Sequence, residues 1–299
     1  MLSTAQVNNY LSYHREIVRA EEHLANQQFK ESLTIYRSLS DRYEHVFRRD
    51  FKVAAQLSAQ INDTDHLFYF LEQGMKKGWT LKEIKKNKIL KAYKNHSFWQ
   101  KLKNNQLEYE KEFHKNLNEP LRIEMKEMLA QDQKRALRVA LTPVRAWRER
   151  YTNRKFVPNN RAQVRRINQI IDEFGYPGEK IIGDKSWATV IISHNEHDTI
   201  YKELRPKLYK AFEKGELSAI ELAMIETWRV VVDTERKDQG FAIWEQTINA
   251  QEASHADSLR QNIGLRSIAL NNKLILLEKE LGMNFFLSPF HGGIITVKE

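Results

Sequence analysis

Residues that interrupt helices are scarce in this sequence, and this scarcity restricts the fold more than any other feature. The 299 residues include 11 glycines and 6 prolines, so the sequence signals few tight turns. Apolar residues make up 41% of the chain, which is enough for a sizeable core. Few turns and a large core together favour long helices over many short strands, and we predict an all-α fold.

Composition excludes several classes of protein. The chain contains no cysteine, which excludes a disulfide framework, a thiol nucleophile and a thiolate metal site. No run of about 18 apolar residues is present, so we expect no membrane-spanning helix. The opening stretch, MLSTAQVNNYLSYHREIVRAEEHLANQQ, lacks the apolar core of an export signal. The expectation is a cytoplasmic protein, although an exported protein whose signal had been removed would have the same composition.

Positive charge is concentrated in two stretches of a chain whose net charge is +9. Residues 76–103 contain ten lysines against one glutamate, and residues 143–166 contain eight lysines or arginines against one glutamate. Basic stretches can bind nucleic acid or acidic surfaces, but a solvated helix face rich in lysine gives the same pattern. No nucleic-acid-binding motif accompanies them, so we do not expect a nucleic-acid partner.

Two segments in the first third of the chain repeat one pattern at an offset of 35 residues. They are FKESLTIYRSL, from Phe29, and DHLFYFLEQGM, from Asp65. In each segment, three residues spaced four and then three apart lie on one face of a helix. These residues are Ser32, Tyr36 and Leu39 in the first segment and Leu67, Leu71 and Gly74 in the second. A helical stretch precedes each segment, so the pattern predicts two helical hairpins.

This pattern resembles the tetratricopeptide repeat, a helix–turn–helix unit of about 34 residues. The resemblance covers about residues 8–78 and departs from the usual repeat at Leu39 and Leu67, which are bulkier than its consensus. It implies stacked hairpins with a concave surface that binds a protein or peptide partner. The alternative is that the hairpins only pack against the rest of the chain.

A polar segment, LKNNQLEYEKEFHKNLNEP at residues 102–120, separates the hairpins from the remainder of the chain. Its final residue, Pro120, is well placed to begin a helix. We therefore predict two domains. Residues 1–114 form a tetratricopeptide-like helical repeat module, and residues 115–299 form a second helical domain.

Two polar residues interrupt apolar helix faces in the second domain. Asp132 continues the apolar stripe of the helix LRIEMKEMLAQDQKRALRVAL, and His194 continues that of SWATVIISHNEHDTIYKEL. An aspartate on a buried face is costly unless it is paired or hydrogen-bonded. The two residues lie on different helices, so we predict that Asp132 orients the His194 imidazole in an acid/base pair.

The histidines of the motif ISHNEHD raise the alternative of a metal site. His194 and His197 are three residues apart, whereas a zinc protease motif needs two histidines four apart with a glutamate beside one of them. No third ligand is indicated nearby. We predict neither a metal nor a cofactor.

Four motifs in the second domain also occur together, and in this order, in a known family. They are DQKR, EFGYPGEKIIGDKS, ISHNEHD and ADSLRQNIGLRSI. Over about residues 120–283 the chain resembles a bacterial all-helical domain of unknown function that often follows tetratricopeptide-like helices. The resemblance implies an all-α fold and a shared set of polar residues, but no biochemical activity. These residues are Asp132, Gln133, Arg135, His194, Asp257 and Arg260, with Glu226, Arg229 and Gln246 as looser counterparts.

Two hypotheses about function arise from these residues. The first is an interaction or scaffolding protein whose repeats recruit a partner and whose helical domain senses a ligand, with the polar residues forming a structural network. The second is a small-molecule hydrolase or other acid/base enzyme with Asp132 and His194 as catalytic residues. Its ligand would be a small anionic molecule. The expected ligand-binding residues are Gln133, Arg135, Glu226, Arg229, Asp257 and Arg260. Solvent access at the polar cluster distinguishes the hypotheses.

Overall fold

The computed structural model describes residues 9–184, 186–195, 198–234, 237–287 and 293–298. The fold is all-α, as the sequence predicts, and the chain divides into two compact units. The first unit comprises Met1–Asn116 and Trp244–Glu299, and the second comprises Leu117–Ile243. No helix among the described residues is both long and apolar enough to cross a membrane.

Helices account for most of the first unit. Its N-terminal part contains α1 Tyr10–Ala25, α2 Phe29–Arg42, α3 Arg48–Gln60, α4 Thr64–Lys76, α5 Leu81–Lys86, a 3₁₀ turn Leu90–Tyr93, α6 Ser97–Asn104 and α7 Gln106–Lys115. Its C-terminal part contains β1 Thr247–Asn249, α15 Ala250–Asn262, α16 Ile268–Leu281 and β2 Thr296–Lys298. The two short strands pair in parallel, with Ile248 opposite Val297.

The second unit contains the remaining helices. They are α8 Glu119–Leu141, α9 Arg145–Tyr151, a π-helical turn Thr152–Phe156, α10 Val157–Phe174, α11 Glu179–Ile182, α12 Ser186–Ser193, α13 Asp198–Glu213 and α14 Ala219–Asp233. Helix α12 packs against α8, α10 and α14, and α13 packs against α10 and α14. The loop between α10 and α11 needs glycine at position 178, because a Cβ there would lie 2.6 Å from the Glu216 carbonyl oxygen.

The N-terminal helices form two hairpins, α1 with α2 and α3 with α4. Each hairpin turns at a residue with φ of 57°, which is Gln27 in the first and Asn62 in the second. These positions are 35 residues apart, the same offset as the sequence repeat. In the first hairpin the buried Ser32 hydroxyl donates to the Ala20 carbonyl oxygen at 2.8 Å, so a small residue brings the helices close. The assignment to the tetratricopeptide family itself stays a prediction.

The position of residues 244–299 differs from the sequence prediction. The expected boundary near residue 115 lies next to the observed division, but the C-terminal segment groups with the N-terminal hairpins instead of with the second domain. Helix α16 packs against α1, and Gly264 lies so close to α1 that an added Cβ would be 2.9 Å from the His14 Cβ. Long-range contacts of this kind leave no local pattern in the sequence.

A buried cluster of charges joins the two parts of the first unit. Glu21 of α1 accepts hydrogen bonds from Arg49 of α3 and from Arg266, whose Nη1 lies 3.0 Å from Glu21 Oε1. Arg49 also contacts Asp50 at 2.8 Å, and the Tyr13 hydroxyl donates to Asp50 at 2.5 Å. Burial lowers the pKa of Arg266 and raises the pKa of Asp50. Because buried charges are costly unless they are paired, this cluster strongly constrains the packing of the unit.

The segment after α16 lies against α3, and side chains hold it through hydrogen bonds to its main-chain groups. Gln56 of α3 donates to the Asn284 carbonyl oxygen at 2.7 Å and accepts from the Asn284 amide at 2.9 Å. Arg49 donates to the Phe285 carbonyl oxygen at 3.0 Å, and the Phe285 ring is fully buried. Arg266 donates to the carbonyl oxygen of Leu287. The face of α3 therefore holds a peptide segment of the same chain.

We expect Glu21→Gln to lower the free energy of unfolding by about 3–5 kcal/mol, because the change leaves two buried guanidinium groups without their shared carboxylate. Chemical denaturation followed by circular dichroism measures the loss. Glu16→Gln is the matched control, because Glu16 pairs at 3.0 Å with Arg19, whose side chain is 60% exposed, and should cost less than about 1 kcal/mol. Equal losses in the two variants would contradict a special role for Glu21.

The stability of the first unit should also depend on His14. Burial, together with the positive charge of Arg49, lowers the pKa of His14 to about 3. As the pH falls below about 6.5 the unfolded chain binds a proton at this position and the folded chain does not, so the folded state loses roughly 1.4 kcal/mol per pH unit. Denaturation of the wild type and of His14→Gln between about pH 7 and pH 5 measures this slope. The slope should be shallower in the variant, and parallel pH profiles would show that His14 does not contribute.

Candidate functional site

Helix α8 carries Asp132 into the core of the second unit. The Asn118 side chain accepts from the Leu121 amide at 3.1 Å and caps the start of the helix, with Pro120 in its first turn. The buried positions of α8 follow one helical stripe that ends at the aspartate. They are Leu121, Met125, Met128 and Asp132. The side chain of Asp132 is 0% exposed, so the sequence pattern correctly predicts a buried carboxylate.

His194 follows the C-terminal end of α12 and meets that carboxylate. Its Nδ1 lies 2.7 Å from Asp132 Oδ2, so the structure contains the hydrogen bond that the sequence predicts. The two residues are 62 positions apart in the chain. Unlike Asp132, the His194 side chain is 26% exposed. The pair therefore has a sealed carboxylate at one end and a solvent-accessible ring at the other.

Neutral amides complete the surroundings of the Asp132 carboxylate. Gln133 Nε2 donates to Oδ2 at 3.2 Å and Asn160 Nδ2 donates to Oδ1 at 3.4 Å. The Asn160 amide also donates to the Ile191 carbonyl oxygen at 2.8 Å and so connects α10 to α12. Within the described parts of the chain, no lysine or arginine forms an ion pair with Asp132. His194 is thus the one described partner that can carry a compensating positive charge.

The second ring nitrogen of His194, Nε2, is the one that does not contact Asp132. The Asp132 carboxylate favours the tautomer with a proton on Nδ1, which leaves the Nε2 lone pair available as an acceptor. No described group hydrogen-bonds to Nε2, and the His194 side chain as a whole is partly open to solvent. Phe156 lies edge-on to the ring with the centroids 5.7 Å apart, which limits its rotation. The imidazole is therefore oriented and open to a proton donor.

A second histidine–aspartate pair in the chain shows what is particular about this one. His66 Nδ1 also lies 2.7 Å from a carboxylate oxygen, that of Asp63. Both of these side chains are partly exposed, at 41% and 31%, and Asp63 caps the start of α4 by accepting from the His66 amide at 3.1 Å. Capping explains that pair. It does not explain Asp132, which lies in the interior of α8 and is sealed from solvent.

The structure places the predicted ligand-binding residues in several different environments. Gln133 joins the pair, whereas Arg135 is half-buried and donates to the Gln131 carbonyl oxygen of its own helix at 3.2 Å. On α14, Glu226 accepts from the Tyr201 hydroxyl at 2.6 Å and from Arg205 at 3.0 Å, and Arg229 contacts Asp233.

Asp257 and Arg260 belong to the first unit, and the expectation that they share a site with Asp132 stays a prediction. Asp257 accepts from the Ile268 amide at 2.8 Å and Arg260 donates to the Arg266 carbonyl oxygen at 3.1 Å. Both contacts fix the connection between α15 and α16. Burial lowers the pKa of Arg260 to about 10. The motif ADSLRQNIGLRSI therefore builds a loop of the first unit.

Asn160 is a functional candidate that the sequence prediction missed. The predicted helix began at residue 161, but α10 begins at Val157. Its buried stripe, continued back from Val164 by one turn, reaches Asn160, so the signal was present in the helical spacing. Glu196 and His197 of the ISHNEHD motif lie outside the described residues, as does His291. The described residues contain no group of three or more histidine, aspartate or glutamate side chains that could hold a metal ion.

Comparison with known proteins identifies no relative for this arrangement. No protein-family model, curated protein or solved structure matches the chain. The resemblance of residues 120–283 to a bacterial domain of unknown function therefore rests on the four sequence motifs, and the function must be argued from the site itself.

Proposed function

We propose that the second unit carries out proton transfer on a small anionic molecule, with His194 as the general base and Asp132 as the residue that orients it. One observation carries this proposal: Asp132 is fully buried while the ring it holds is 26% exposed. A structural polar network is sealed on all sides, whereas a general base must reach the proton that it removes.

Hydrolysis is the reaction that such a pair supports most directly. In this scheme His194 Nε2 accepts a proton from water, and the resulting hydroxide attacks the substrate. The Asp132 carboxylate stabilises the imidazolium that forms, and Nε2 then returns the proton to the leaving group. General acid–base catalysis of this kind contributes about 10²–10⁴-fold in rate.

The charge around His194 favours an anionic substrate. Phe156, which contacts the ring, ends the π-helical turn that also contains Arg154 and Lys155. Both of these side chains are exposed. Arg135 and Arg138 follow Asp132 on α8. Excess positive charge raises the local concentration of negatively charged ligands and their rate of association.

The test is to assay the chain against chromogenic phosphate esters and carboxylate-bearing esters as wild type, Asp132→Asn and His194→Gln. We expect both variants to lose at least about 100-fold in turnover, because each removes the oriented base. Their melting temperatures should stay within about 4 °C of the wild type, since functional residues are not selected for stability.

His66→Gln is the matched control, because it removes a histidine that is held by an aspartate at the same 2.7 Å but lies at a helix cap. It should leave turnover unchanged. If His66→Gln lowered turnover as the two site variants do, the proposal would be contradicted. If the wild type neither hydrolyses nor binds any compound of the panel, and both site variants melt at much lower temperature, the pair is a structural element.

A second function, peptide binding by the N-terminal hairpins, is supported by an independent observation. The α3 face already holds Asn284 and Phe285 through hydrogen bonds from Gln56 and Arg49 to their main-chain carbonyl oxygens. Recognition through main-chain groups is the way in which a surface accepts extended peptides of varied sequence. We therefore propose that a partner peptide binds this face in competition with the chain's own segment.

A full-length Phe285→Ala variant tests the second function, because it removes the buried ring that anchors the segment. A labelled peptide with the sequence of residues 281–287 should bind this variant, and should bind the wild type at least about tenfold more weakly, since the chain's own segment competes at a high effective concentration. Fluorescence anisotropy measures both affinities. Adding Gln56→Ala to the variant should weaken the binding. A folded Phe285→Ala variant that binds no peptide would contradict the proposal.

A further inference from the structure

A cavity of about 410 Å³ in the first unit is surrounded by lysines. It lies where α5, the 3₁₀ turn and α6 meet, within the lysine-rich stretch of the sequence. Its volume falls within the range of pockets that bind small molecules, about 300–1,000 Å³. The lining residues are Lys85, Lys91, Lys94, Asn95, Trp99 and Lys103.

Short helices with buried anchors build this cavity. A capping box formed by Thr80 and Glu83 fixes the start of α5. The Asn87 side chain accepts from the Leu90 amide at 3.1 Å and donates to Gln56 of α3 at 2.9 Å, which ties the 3₁₀ turn to the hairpins. Trp99 is buried and lies four residues before Lys103 on α6, so both line the same helix face. The lysines are therefore carried by a supported backbone.

The four cavity lysines lack negatively charged partners in the part of the chain that the structure describes. Elsewhere in the same unit Lys76 pairs with Glu72 at 3.2 Å, so lysines of this chain form ion pairs where a carboxylate is available. Four like charges around one cavity repel one another, and an occupant that carries several negative charges would remove that repulsion. A lysine ammonium group is well suited to a phosphate oxygen.

We propose that this cavity binds a small molecule that carries two or more phosphate groups. Four lysines match a ligand with several anionic groups better than they match a single anion. Asn95 adds a neutral side chain that can both donate and accept hydrogen bonds, and the buried Trp99 gives an apolar wall. A solvated basic face has the same composition but requires no cavity, so the open cavity between these lysines is what indicates a small ligand.

Isothermal titration calorimetry of the full-length chain with inorganic tripolyphosphate tests the proposal. The double variant Lys91→Gln/Lys94→Gln should bind at least about tenfold more weakly than the wild type, because two charge-assisted hydrogen bonds are lost. Lys86→Gln/Lys88→Gln is the matched control. It removes the same charge from exposed positions in the same stretch that do not line the cavity, and should change the affinity less than about twofold.

Three results would overturn the proposal. The first is that tripolyphosphate does not bind, and the second is that the two double variants weaken its binding equally. The third is that a single-stranded oligonucleotide binds more tightly than tripolyphosphate and that both double variants weaken oligonucleotide binding equally. The second and third results would identify a diffuse basic surface, and the third would show that this surface binds nucleic acid. All four substituted side chains are exposed, so the variants should fold, and circular dichroism checks that they do.

Discussion

The packing of the first unit depends on how one buried carboxylate is neutralised. Glu21 is held between Arg49 and Arg266, and the same Arg49 also contacts Asp50. Removing such charges from water is costly, and only close pairing with good hydrogen bonds offsets the cost. The requirement fixes α1, α3 and the residues before α16 relative to one another. It is also the reason that residues 244–299 belong to the same unit as the N-terminal hairpins, although the second unit separates them in the sequence.

The sequence predicts those features that leave a local pattern. The scarcity of glycine and proline indicates an all-α fold. Asp132 and His194 stand out because each is a polar residue that continues an apolar stripe in the sequence, although α12 ends at Ser193, one residue before His194. Glu21 leaves no such trace. It stands beside the exposed Glu22 and resembles an ordinary surface acid, and its partner Arg266 is 245 residues away. Glu226 likewise pairs with a residue on another helix, Arg205 of α13, which no local spacing indicates.

Two buried polar groups in this protein illustrate two different uses of the same chemistry. The Glu21 cluster buries Glu21, Asp50 and Arg266 and leaves the Arg49 side chain 14% exposed, which suits a part of the structure that must not rearrange. The Asp132–His194 pair buries only the carboxylate and leaves the imidazole partly open. This difference in solvent access is the observation that supports the acid/base role proposed for His194. The contrast is visible only when solvent access is compared residue by residue.

The long separation between Glu21 and Arg266 has a consequence for the order of events on the ribosome. When the N-terminal hairpins emerge, the arginine that completes their buried cluster has not yet been synthesised, and the entire second unit must be translated first. Domains usually fold as they emerge, starting from the N-terminus. Here all residues of the second unit are synthesised before residues 244–299 of the first unit. The second unit can therefore reach its native state while the first is still incomplete. Until Arg266 is synthesised, Glu21 of the nascent hairpins has Arg49 alone as its charged partner from this cluster.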